Sequence, residues 1–173
     1  MSSNTPLITG LFPDRDSAER GYAALSERGY TKDDINVVMS EDTRKNHFSS
    51  NDKDSELGTK AAEGAGVGGA IGGTVGAILA AFVAVGTSIA IPGLGLVIAG
   101  PLAAALAGAG AGAATGGLVG ALVGWNIPED RAQQYGEGIR NGGILMGVRP
   151  RNDADAAYFA SAWNTQSAQD VNR

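Results

Sequence analysis

Three observations predict an α+β fold. A strand–proline–helix unit stands at each end of the chain, the two copies align without a gap, and a long Gly/Ala-rich middle between them carries no charge. Two such units predict a split βαβ, ferredoxin-like sandwich of three or four strands. The middle predicts a long antiparallel helical hairpin that interrupts it. The expected boundaries are 1–40 for the first βαβ half of an α/β domain, 41–60 for a polar linker and 61–125 for a glycine-zipper hairpin. Residues 126–173 supply a helix and the second β-α half.

LITGLF (7–12) reads as a strand that Pro13 ends. DSAERGYAALSERG follows as a helix, with Asp16 or Ser17 as its cap. Ala18, Tyr22 and Leu25 share one face at i, i+4, i+7. Gly29 sits where a glycine closes a helix. DINVVMS (34–40) is the next strand. EDTRKNHFSSNDKDSELG (41–58) is polar and reads as a solvated linker. Beyond the apolar middle, IPEDRAQQYGEGIRNGG has Pro128 near its first helical position, acidic residues in the first turn and Arg140 in the last. ILMGVRP (144–150) is a strand and NDADAAYFASAWNTQSAQ a helix.

The repeat sets LITGLFP on ILMGVRP, with Gly10 on Gly147 and Pro13 on Pro150. Asp16 falls on Asp153, Tyr22 on Phe159 and Ala23 on Ala160. In the expected topology the first strands of the two units are adjacent and antiparallel. Only DVNR remains for a fourth strand, so a three-stranded sheet with an open edge is the alternative.

The middle carries two ladders of small residues. Gly64, Gly68, Gly72, Gly76, Ala80 and Ala84 are spaced by four, and so are Ala104, Gly108, Gly112, Gly116, Gly120 and Gly124. That spacing keeps them on one helix face, where a second backbone can approach closely. Each glycine costs a helix about 1 kcal/mol relative to alanine, and close packing must offset that cost. Val67, Ile71, Val75, Ile78 and Phe82 are the bulky residues of the first arm. Leu102, Leu106, Leu118 and Leu122 are those of the second. An arm of this length makes ~36 Å of helix, against a hydrocarbon core of ~30 Å. GTSIAIPGLGLVIAGP (86–101) is expected as the apolar hairpin tip, with Pro92, Gly93, Gly95, Gly100 and Pro101 turning the chain. Trp125 beside Asn126 suits a membrane interface as an anchor.

Composition excludes several functions. There is no cysteine, hence no disulfide, thiol nucleophile or Cys-ligated zinc. A net charge of −5 without a basic cluster argues against nucleic acid as a partner. No basic and apolar leader opens the chain, so a secretory signal is not expected. His47 is the only histidine and lies in the polar linker. Asp14, Asp16, Asp33 and Asp34 flank a helix, where capping explains them. Asp52, Asp54 and Glu56 lack the register of a calcium loop. GAGVGG (64–69) matches a dinucleotide fingerprint only as a string, since no strand precedes it and the glycine series continues. No catalytic, cofactor-binding or metal-binding residue is expected, and no cofactor.

The strand–Pro–Asp–Ala start at 7–18, IPGLGLVIAGPLAAALAG (91–108) and NIPEDRAQQYGEGIRNGGILMGV (126–148) together resemble a bacterial family. It is the YflT-like general stress protein domain with a glycine-zipper insertion. The resemblance covers most of the chain but not 41–58. It implies a stress-associated protein without enzymatic activity and transfers no catalytic residue. The short final stretch departs from the family pattern and bears on the fourth strand.

The expectation from these readings is a non-enzymatic protein that partners itself. Its hairpins insert in membrane or lipid, and its α/β domain is cytoplasmic. The alternative is a cytoplasmic, soluble homo-oligomeric ring, shell or filament with the hairpins as its core. A third reading is a small-ligand regulatory module.

Overall fold

The computed structural model describes residues 7–48, 88–91, 95–103, 119–120, 122–124, 126–165 and 168–172. In chain order the elements are β1 (Ile8–Phe12), α1 (Arg15–Ser26), β2 (Ile35–Ser40), α2 (Glu41–Phe48), β3 (Ser88–Ile91) and β4 (Leu96–Ala99). They continue as α3 (Glu129–Arg140), β5 (Ile144–Val148), α4 (Asp153–Thr165) and β6 (Gln169–Asn172). The protein is α+β, with one antiparallel sheet ordered β3-β4-β2-β5-β1-β6.

The two strands related by the repeat are neighbours. Ile8 pairs with Val148 and Phe12 with Ile144 in one unbroken antiparallel register. The fourth strand forms: β6 pairs with β1 on its other side, with a register shift between Thr9 and Leu11. Its sequence is QDVN, with one β-branched residue, so pairing to a buried neighbour rather than intrinsic propensity orders it.

α1 begins two or three residues earlier than the sequence suggests. Asp14 caps it, accepting from the Ser17 N–H at 2.7 Å, and the Ser17 hydroxyl answers at the Asp14 N–H. Asp16 instead lies in the first turn, where its charge favours the helix dipole. Gly29 takes a left-handed φ of 74° after the last turn.

The first eight residues expected as linker form α2. Ser40 supplies the cap, its Oγ accepting from the Thr43 N–H at 3.0 Å. Lys45 reaches Glu41 one turn back. The remainder of the linker lies outside the described residues.

The stretch expected as a helical-hairpin tip is a β-hairpin. β3 pairs with β4 in regular register, and β4 pairs with β2. Gly95, exposed with φ 62°, closes the turn, and its carbonyl accepts from the Glu41 N–H at 2.7 Å. The physical reason lies in side-chain type. Ile89, Ile91, Val97 and Ile98 are β-branched, in two four-residue runs separated by Pro and Gly. That pattern favours strands over a turn between helices.

Both faces of the sheet are covered. On one face Ile8, Phe12, Ile35, Val37, Met39, Ile144, Met146 and Val148 meet α1 and α4 through Tyr22, Leu25, Phe159 and Trp163. Trp163 donates from Nε1 to the Gly21 carbonyl at 3.1 Å and meets Phe12 edge-on, with ring centroids 5.5 Å apart. On the other face Leu11, Val38, Leu96, Ile98 and Leu145 meet Ala132, Tyr135 and Ile139 of α3, together with Leu102, Leu122 and Ile127. The expected two-layer sandwich therefore has a third layer. Leu102 and Leu122, assigned by the sequence to a helical arm, belong to the core of the sheet domain.

Candidate functional site

The sequence points to the small-residue ladders, so their described members come first. Gly64, Gly68, Gly72, Gly76, Ala80, Ala84, Ala104, Gly108, Gly112 and Gly116 lie outside the described residues, as do Pro92, Gly93 and Trp125. Gly120 and Gly124 are described and exposed, and the Gly124 N–H donates to the Gly120 carbonyl at 3.0 Å. Nothing within 4 Å would meet a side chain added at Gly120. Val123 beside them is 42% exposed. The small face at Gly120 therefore meets no other described part of the chain.

Gly95, Gly100 and Pro101 flank β4 and form no helical tip: Gly95 precedes the strand, and Gly100 and Pro101 follow its other end. Gly100 is buried directly after β4 with φ 101°. Pro101 is exposed, and residues 101–103 are helical. Among the described residues no helix is long and apolar enough to cross a membrane.

The polar groups cluster elsewhere, in places the sequence reading did not single out. Asp155, in the first turn of α4, is buried. Its Oδ1 accepts from Arg28 Nη1 at 2.6 Å, and its Oδ2 from the Tyr30 hydroxyl at 2.8 Å and Asn152 Nδ2 at 3.1 Å. Arg28, with Tyr30 second, holds the Asp155 carboxyl below the ordinary carboxylate value. Tyr30 in turn accepts from the Arg151 N–H at 2.6 Å, and burial pushes its phenol up. Arg151 Nη2 reaches both the Gly29 carbonyl and Asp34, each at 3.1 Å. The two guanidinium groups stack, Arg28 over Tyr158 at 4.0 Å and Arg151 over Tyr30 at 4.3 Å. The partners come from the connection between α1 and β2 and from the connection into α4 with its first turns, so the cluster ties the two halves of the repeat. The local signal the sequence analysis passed over is the helix cap, Asn152 Oδ1 accepting from the Asp155 N–H at 2.8 Å.

A second link joins α1 to α2. Arg15 pairs with the buried Glu19 at 2.6 Å and donates to the His47 carbonyl at 2.7 Å. His47 thus contributes backbone, while its exposed side chain faces solvent. Across the second face, Thr9 Oγ1 lies 3.0 Å from Tyr135 Oη, both buried. Asn36 Oδ1 accepts from the Leu102 N–H at 2.6 Å, also in the interior.

These arrangements are structural in chemistry. Asp14 caps α1 and its carboxyl is held low chiefly by the Ser17 N–H. Asp34 accepts from the Thr31 N–H at 2.9 Å. Among the described residues no group of His, Cys, Asp or Glu is placed to hold a metal ion. The residues of the acidic stretch 52–56 and of the string 64–69 lie outside those described. No family model matches the chain, and neither curated proteins nor solved structures provide a match.

Proposed function

We propose that the chain is a non-enzymatic, stress-associated protein that self-assembles through its small-residue segments, inserted in membrane or lipid, while its α/β domain stays cytoplasmic. The observation that carries this is the uncharged run between Glu63 and Glu129, with small residues recurring every fourth position. Such a face is useful only where another backbone approaches closely. The stress association rests on the resemblance to the YflT-like domain alone. The strand order β2-β5-β1-β6, with α1 and α4 on one face, supports a ferredoxin-like plait as the scaffold.

One observation favours the lipid-free alternative for the second ladder. Leu102 and Leu122, at its two ends, lie in the same apolar cluster. A run as short as 104–118 cannot cross a ~30 Å hydrocarbon core and return, which takes about 20 helical residues each way. The first ladder meets the same limit, because only residues 64–87 separate Glu63 from β3 of the same sheet, so lipid contact through either ladder means insertion without a full crossing and return.

Detergent-free fractionation with native mass and lipid extraction tests the proposal. A large particle with bound phospholipid is expected. A large particle without lipid selects the soluble assembly, and a soluble monomer refutes both. Gly72→Leu is expected to reduce particle mass, whereas Lys53→Ala leaves it unchanged.

A further inference from the structure

Asn36 is a buried amide at the second position of the interior strand β2, between Ile35 and Val37 of the apolar core. Burying such a group is unfavourable unless it is hydrogen-bonded. Its Oδ1 accepts from the N–H of Leu102, far along the chain, where the backbone has just left β4. Two residues earlier, Gly100 has φ 101°, and a Cβ there would collide with the carbonyl oxygen of Ile35. The Gly100 carbonyl then accepts from the Ala103 N–H at 3.0 Å, and Leu102 and Ala103 are both buried. A side-chain acceptor on β2 and a position that only glycine fits thus fix the same bend. A flexible tether between a domain and an appended arm would need neither.

We infer that Asn36 and Gly100 form a rigid elbow that makes the β2–β4 ladder and the exit at 100–103 one cooperative unit. The apolar segment beyond residue 103 is thereby coupled to the sheet. Whatever stabilises that segment also stabilises the β2–β4 ladder, because coupling between two sites is reciprocal. Its relevance to assembly rests on the self-association proposed above; the elbow itself does not.

Hydrogen exchange on the full chain tests the inference. In the wild type, amides at 96–103 are expected to open together with those at 37–40, with protection equal to within about threefold. Asn36→Leu leaves the Leu102 N–H without its partner, and about tenfold faster exchange is expected at 96–103 than at 144–148. Thr9→Val removes another buried hydrogen bond of the same sheet and serves as the control, with no such selective change. Wild-type exchange at 96–103 more than about tenfold faster than at 37–40 overturns the inference. So does a uniform response to Asn36→Leu across both regions. The wild-type comparison decides the matter even if Asn36→Leu does not fold. Native mass on the same samples separates the two readings: a monomeric wild type refutes self-association, and the exchange pattern still judges the elbow.

Discussion

Leu122→Ala asks whether the end of the second ladder is part of the sheet domain. Leu122 is 1% exposed and sits with Leu102, Ile127 and Tyr135 on the α3 side of the sheet. The substitution removes three carbons, worth about 2.4 kcal/mol at ~0.8 kcal/mol each. Incomplete collapse of the cavity raises the total to about 3 kcal/mol. For a domain of this size that lowers Tm by about 6–12 °C. Val123→Ala, one residue on but 42% exposed, is expected to stay within about 0.5 kcal/mol. The assay is thermal and urea unfolding by far-UV circular dichroism and by tryptophan emission in a Trp125→Phe background. Trp163 then reports from the opposite face of the sheet, and coincident transitions show both faces melting together. A Leu122→Ala melt indistinguishable from wild type would refute the placement of this residue in the core, since a leucine on a separate arm would leave the sheet untouched.

Gly100→Ala forces a side chain into a left-handed backbone position against the Ile35 carbonyl. A loss of about 3 kcal/mol is expected, read as a lowered urea midpoint at unchanged slope. Asp14→Ala removes the cap of α1 and is expected to cost about 1 kcal/mol by the same measurement. Asp155 has a lowered folded pKa, so its contribution is full above its ordinary value of 3.8 and is lost as pH falls through the lowered value. Wild-type stability is therefore expected to fall in that acid range. Asp155→Asn is less stable at neutral pH and flatter below it, and urea titrations across the acid range check both points.

Elements whose signals are local were legible. Pro13 and Pro150 stop two apolar runs, and the cap and helix that follow each repeat the same pattern, so β1, α1, β5 and α4 could be placed by inspection. The β3–β4 hairpin was missed because glycine and proline around SIAI and LVIA matched the surrounding ladders, and length and β-branching were given too little weight. α2 was missed because EDTRKNHF has no apolar face; Ser40 as its cap was the available cue. The third layer was written in the strands themselves. ILMGV is continuously apolar and INVVMS nearly so, with Asn36 and the terminal Ser40 as exceptions; strands covered on both faces read this way rather than alternating. The Asp155 cluster was illegible, because no local pattern links Arg28 to a carboxylate so far along the chain. For the ladders, only spacing and composition speak.

The register of β1 also dictates when the domain becomes able to fold. Both neighbours of β1, namely β5 and β6, come from the last part of the chain. A ribosome adding ~5–20 residues per second needs on the order of 10 s to go from Phe12 to Ile144. Through that interval Ile8, Leu11 and Phe12 have no strand to pair with, and the uncharged middle is emerging beside them. β2 can pair with β4 much sooner, so one side of the sheet is available before its centre. A nascent chain of this kind presents its uncharged middle while its oldest strand is still unpaired. Its yield in a cell thus depends on what shields those segments during synthesis, in addition to the stability of the finished fold.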